Sequence, residues 1–140
     1  MPTFVKITVS VSVKASVAKT WEAFTSPGSI VSWNFASDDW CCPKASNDLK
    51  PGGSFNYRME STDGRVGFDF CGTYTKVTPQ SLIAYALGDG REVSIEFKNV
   101  AGNTEVIETF DAETENSLEL QKQGWQAILN NFKKLVEGNR

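Results

Sequence analysis

Any chemistry in this sequence has to run without histidine, since none of the 140 residues is one. That removes the commonest general acid–base and the usual partner of a nucleophilic serine or cysteine. The cysteines are Cys41, Cys42 and Cys71. A structural zinc site takes about four nitrogen or sulfur ligands, and three thiols fall short of that set. Cys41 and Cys42 could close a strained vicinal disulfide or act as a redox pair. Free cysteine is more commonly a small buried hydrophobe, and that is the role expected here. Gly52-Gly53 follows Pro51 and leads into a strand pattern, not a helix, so it is no dinucleotide or phosphate loop. No catalytic residue, metal ligand or cofactor is assigned, and the chain reads more readily as a binding protein than as an enzyme.

The remaining candidates are Asp, Glu, Tyr and Lys. Glu108 shares a strand face with Val106 and Phe110; if that face were buried, desolvation would raise its pKa. The other arrangement turns Ile107 inward and leaves Glu108 in water. Charged residues are seldom buried without a partner, so the wet position is the expected one. Trp33, Tyr57, Phe68, Phe70, Phe97 and Trp125 all sit where the pattern turns inward. Plain core packing accounts for most such rings. The functional reading has some of them line a pocket, with Tyr57, Tyr74 and Tyr85 supplying hydroxyls. Ligand pockets are mostly apolar with a few polar groups.

These side chains need elements to position them. Residues 4–13 alternate, with Val5, Ile7, Val9, Val11 and Val13 on one face and Lys6, Thr8, Ser10 and Ser12 on the other. That is a half-buried strand. The period then changes. Ser16 can cap a short helix carrying Val17, Trp21 and Phe24, and Ser26-Pro27 opens a second one carrying Ile30, Val31 and Trp33. Residues 34–53 are irregular and rich in Pro and Gly, which reads as a long loop ending in a turn, the expected lid of any site. Strands follow at Ser54–Ser61, Val66–Val77, Ser81–Leu87, Glu92–Asn99 and Thr104–Phe110, joined by short turns that make neighbours antiparallel. A last helix spans roughly residues 117 to 138, capped by Asn116 with Glu119. Its stripe is Leu118, Trp125, Ile128, Leu129, Phe132, Leu135 and Val136. Gly124 in its interior suggests a close approach of the sheet, because glycine there costs about 1 kcal/mol relative to alanine. Trp125 is the expected buried anchor. One apolar sheet face and one apolar helix stripe point to an α+β fold: a six-stranded antiparallel sheet packed on the long helix, in one domain over residues 1–140.

Composition narrows the function classes. The net charge is −3, the pI about 5.0, and only Lys133-Lys134 form an adjacent basic pair. A nucleic-acid partner is therefore not expected. No stretch reaches the roughly 20 apolar residues of a membrane span. An odd number of cysteines, with no secretory leader pattern at Met1-Pro2-Thr3, leads to a cytoplasmic expectation.

Several motifs also fall in a familiar order. They are the first strand running into Val17-Ala18-Lys19-Thr20-Trp21-Glu22-Ala23-Phe24-Thr25, then Trp33, then Leu49-Lys50-Pro51-Gly52-Gly53-Ser54-Phe55. Gly72, Val77-Thr78-Pro79 and Gly124-Trp125 follow. In these the chain resembles the START-like (SRPBCC) superfamily, with the helix-grip fold of the birch pollen allergen. Within it, the chain is most similar to the family named after the activator of heat-shock-protein-90 ATPase. The resemblance implies a curved sheet around an internal hydrophobic cavity and does not imply one activity. The leading expectation is binding of an apolar or weakly polar small molecule by Trp33, Tyr57, Met59, Phe68, Phe70, Tyr85, Phe97, Trp125 and Leu129. The alternatives are a surface that docks a chaperone or other protein and, after it, a cyclase or dehydratase type of enzyme. Whether the chain acts as monomer or dimer is left open.

Overall fold

The structure, a computed structural model, describes residues 4–138. Strand β1 (Lys6–Val13) follows its alternation strictly, burying Ile7, Val9, Val11 and Val13 and exposing the residues between. Helix α1 (Val17–Thr25) starts where Ser16 Oγ accepts the Lys19 N–H at 3.2 Å. Helix α2 (Pro27–Trp33) begins with its proline in the first turn, where a missing N–H costs nothing. Five strands were expected after the helices, but six are present: β2 (Trp40–Asn47), β3 (Ser54–Ser61), β4 (Gly67–Thr78), β5 (Leu82–Ala86), β6 (Glu92–Val100) and β7 (Asn103–Asp111). Helix α3 (Leu118–Val136) closes the order.

The sheet is antiparallel throughout and curled, in the order β1-β7-β6-β5-β4-β3-β2. The six-strand expectation is thus corrected to seven. The missed strand, β2, lies within the segment read as a lid loop. It pairs with β3 along the sheet edge, and its register shifts between Cys41 and Lys44. Pro43 falls in that irregularity, where a residue without an N–H does least damage. Bulge and proline together erase the alternation from which a strand is read.

β1 and β2 are the two edges, and the α1–α2 pair carries the chain from one to the other. α3 packs along β1 and also bonds to its free edge. Gln126 Nε2 donates to Ser10 O at 3.0 Å, and Lys133 Nζ to Ser12 O at 2.6 Å. Edge carbonyls that could template another strand are covered this way. Buried Asn131 donates from Nδ2 to Trp33 O at 2.8 Å, locking α3 to the end of α2.

Three details of α3 differ from the sequence reading. Its N-cap is Ser117, whose hydroxyl accepts the Leu120 N–H at 3.1 Å; Asn116 instead donates its own N–H to Glu113 at 2.7 Å. The fully buried anchor is Phe132, while Trp125 is only partly buried. A Cβ at Gly124 would meet no atom within 4 Å, so the expected close approach is absent. A glycine held tightly against backbone within the sheet is Gly72, where a Cβ would stand 2.7 Å from Ala86 O and 3.0 Å from the Phe55 ring.

Candidate functional site

The curled sheet and α3 do not close completely on each other. They leave a cavity of about 220 Å³ between them. An apolar cavity of roughly 150 Å³ is already enough to bind benzene, so this one has room for a small organic molecule. Its floor is built by alternation: Tyr57 and Met59 of β3, Phe68, Phe70 and Tyr74 of β4, Ile83 and Tyr85 of β5, and Ile95 of β6. Its roof is Trp125, Ile128 and Leu129, successive turns of the α3 stripe. Phe24 and Thr25 of α1 and Trp33-Asn34 at the end of α2 close one side. Phe68 both lines the cavity and is half-exposed, so the space reaches the surface beside it.

Eight of the nine residues expected at a site therefore line one cavity: Trp33, Tyr57, Met59, Phe68, Phe70, Tyr85, Trp125 and Leu129. Phe97 does not. It is 5 % exposed and packs edge-on against Trp21 at 5.1 Å and Phe24 at 5.4 Å, under α1 and away from the space. Its alternation was inward, but α1 fills the volume above it. The rings that do line the cavity pack against rings behind them. Trp125 stacks on Phe110 with centroids 4.0 Å apart, and Phe55 supports Tyr85 at 4.7 Å and Tyr57 at 4.9 Å. Such contacts add about 0.5–1.5 kcal/mol each beyond area burial, which makes the wall rigid.

Beyond the expected nine, the cavity is lined by Phe24, Thr25, Asn34, Tyr74, Ile83, Ile95, Glu108 and Ile128; Tyr74 was read as supplying a hydroxyl and Glu108 as wet, and the other six carried no site expectation. Ile95 and Tyr74 share strand faces with residues that were named, and Ile128 adjoins Leu129 on the stripe, so those three had a legible signal. Glu108 is a reversal. The expected inward residue was Ile107, yet β7 buries Thr104, Val106, Glu108 and Phe110 and leaves Ile107 partly exposed. The register decides this: Glu108 stands opposite Val9 of β1 and Ile95 of β6, both inward-facing. The side chain is 8 % exposed, and no hydrogen bond or ion pair engages its carboxyl among the described residues. Burial pushes its pKa from the ordinary 4.5 to about 8, so at neutral pH it keeps its proton.

The other polar groups of the wall are weak or neutral. Burial raises the Tyr85 hydroxyl well above its usual range, and the Glu108 charge adds to this. Burial likewise raises Tyr57 and Tyr74, whose hydroxyls lie together beside the Asn47 amide. Asn34 Nδ2 meets Met59 Sδ at 3.6 Å and Cys42 Sγ at 4.0 Å, both poor acceptors. Cys42 is buried and its thiol is pushed up by that burial, which disfavours the nucleophilic thiolate. Cys71, in contrast, is exposed, so the expectation of small buried hydrophobes fails for it. Among the described residues no cluster of three or more His, Cys, Asp or Glu is placed to hold a metal.

The comparisons agree with this architecture. The profile of the family described as activator of Hsp90 ATPase homolog 1-like protein matches residues 14–137. The chain belongs to this family. Among solved structures, an AHSA1-like protein from Aeromonas hydrophila is 41 % identical with a TM-score of 0.90, covering 96 % of this chain and 93 % of its own. A protein from Cytophaga hutchinsonii is 47 % identical with a TM-score of 0.83, at 96 % and 93 % coverage. A protein from Nitrosomonas europaea, at 17 % identity and a TM-score of 0.82 over 99 % and 97 %, shares the fold. No curated protein matches the chain. For this member of the AHSA1-like family, the helix-grip expectation holds in its curled sheet and long C-terminal helix, with one strand more than expected. No helix among the described residues is long and apolar enough to cross a membrane.

Proposed function

We propose that the protein binds a small apolar or weakly polar molecule inside the cavity between the sheet and α3. The observation that carries this reading is the cavity itself: about 220 Å³ of space walled by aromatic and aliphatic side chains, in a fold whose other inward positions are filled. Proteins pack their interiors closely, and a void of this size forgoes dispersion contacts and stability. A ligand restores both. The wall has no basic residue and no phosphate-binding loop, so a nucleotide does not fit its chemistry. The family description brings a second reading, a surface that docks a chaperone; the enclosed apolar space supports the interior reading.

The test is thermal unfolding with a panel of neutral aromatic compounds of one or two rings. A ligand that binds only the folded state stabilises it by RT ln(1 + [L]/Kd), about 2.7 kcal/mol at a hundredfold excess over Kd. A concentration-dependent rise in Tm is expected, and Phe70→Trp, which adds volume to the wall, should weaken it with little change in the unliganded Tm. A panel that leaves Tm unmoved at millimolar concentration would contradict the proposal.

A further inference from the structure

Glu108 has no structural task that explains its presence. Its ladder neighbours are Val9 and Ile95, and the Phe110 ring two residues on is committed to Trp125. An apolar residue at this position would pack in the same strand at lower cost, because a carboxyl without a protein partner is costly in an apolar wall. The groups facing it are few. Along the cavity wall with it, β3, β4 and β5 bring Tyr57, Tyr74 and Tyr85, of which Tyr85 feels the Glu108 charge, and the other lining side chains are apolar apart from Thr25 and Asn34. None of these is a cation, and burial alone, with no charged partner, sets the state of the Glu108 carboxyl. The cavity thus holds a lone carboxyl, 8 % exposed, in a wall of aromatic and aliphatic side chains.

Building on the cavity-binding reading above, we infer that the ligand is an apolar amine: an aromatic or aliphatic body with a single basic nitrogen that pairs with Glu108. The nitrogen supplies the counter-charge and the hydrogen-bond donors that the protein leaves out. The rings of Phe70, Tyr85 and Trp125 offer faces to the same cation, an attraction that strengthens when the charge is desolvated. The body of the molecule fills the apolar remainder of the space. An anionic ligand of the same shape meets the one wall group that repels it. The pairing moves one proton: the ammonium enters, the Glu108 carboxyl gives its proton to solvent, and an ion pair remains.

The experiment uses four compounds with one ring and different ends: 2-phenylethylamine, 2-phenylethanol, ethylbenzene and 3-phenylpropanoate. Each is titrated into the full chain by calorimetry near neutral pH, in two buffers of different ionisation enthalpy. The amine is expected to bind at least tenfold more tightly than the alcohol and the hydrocarbon, with release of close to one proton. In Glu108→Gln the amine's preference over ethylbenzene should vanish. Equal or tighter binding of the alcohol, or an amine preference that survives in Glu108→Gln, would overturn the amine inference and leave apolar binding standing. Binding of none of the four would overturn both.

Discussion

Glu108 makes the strongest single-residue claim, and its titration gives it a pH signature. The folded chain holds the carboxyl proton up to about pH 8, whereas the ordinary value is 4.5. Between those values the folded state binds one proton more than the unfolded state, so stability falls as pH rises. The contribution is complete below the lower value and gone above the upper one. Its slope is about 1.4 kcal/mol per pH unit. Glu108→Gln cannot titrate, so the stability of the natural protein relative to this variant should fall by roughly 3–4 kcal/mol between about pH 5 and pH 8. Denaturant midpoints across that range measure it. A constant difference would mean that the carboxyl is solvated after all. The residue was visible in the sequence, on a face with Val106 and Phe110, but the choice between its face and that of Ile107 was not. Alternation gives two faces and does not say which is inner; the pairing of β7 with β1 and β6 does.

At the scale of elements, regular patterns were readable and broken ones were not. β1 keeps its alternation because nothing interrupts it, and α3 keeps its stripe because it covers one face of the sheet. β2 escaped because Pro43 and the register shift beside it break the period. Two glycines are informative. Gly124 suggested a close approach, but that inference needs to know what lies opposite, and there the answer is open space. Gly72 is where backbone and ring come close. Gly124→Ala should therefore raise stability by up to about 1 kcal/mol from helix propensity alone. Gly72→Ala should lower it by about 1–3 kcal/mol, the usual cost of overpacking, since the Ala86 carbonyl is backbone and cannot swing away. Thermal or denaturant unfolding of the two variants should move in opposite directions. A gain at Gly72 or a loss at Gly124 would show that the strand or helix is not placed as described.

At the scale of the molecule, the sequence could give the apolar faces but not the space between them. The same inward residues can meet and fill a core or stand apart around a cavity; the curl of the sheet and the seat of α3 on β1 decide which. Phe97 shows the difference. Its pattern matches that of Phe70, yet α1 lies over it and makes it core. On the proposed reading a ligand enters between sheet and helix and not onto the outer face. Methyl NMR with a neutral two-ring probe such as 2-naphthol tests this most directly. Shifts should be centred on Met59, Ile83, Ile95, Ile128 and Leu129, whose side chains line the cavity, with the exposed Val5, Val66 and Val100 unmoved. Shifts confined to those exposed valines, with the cavity methyls silent, would contradict it.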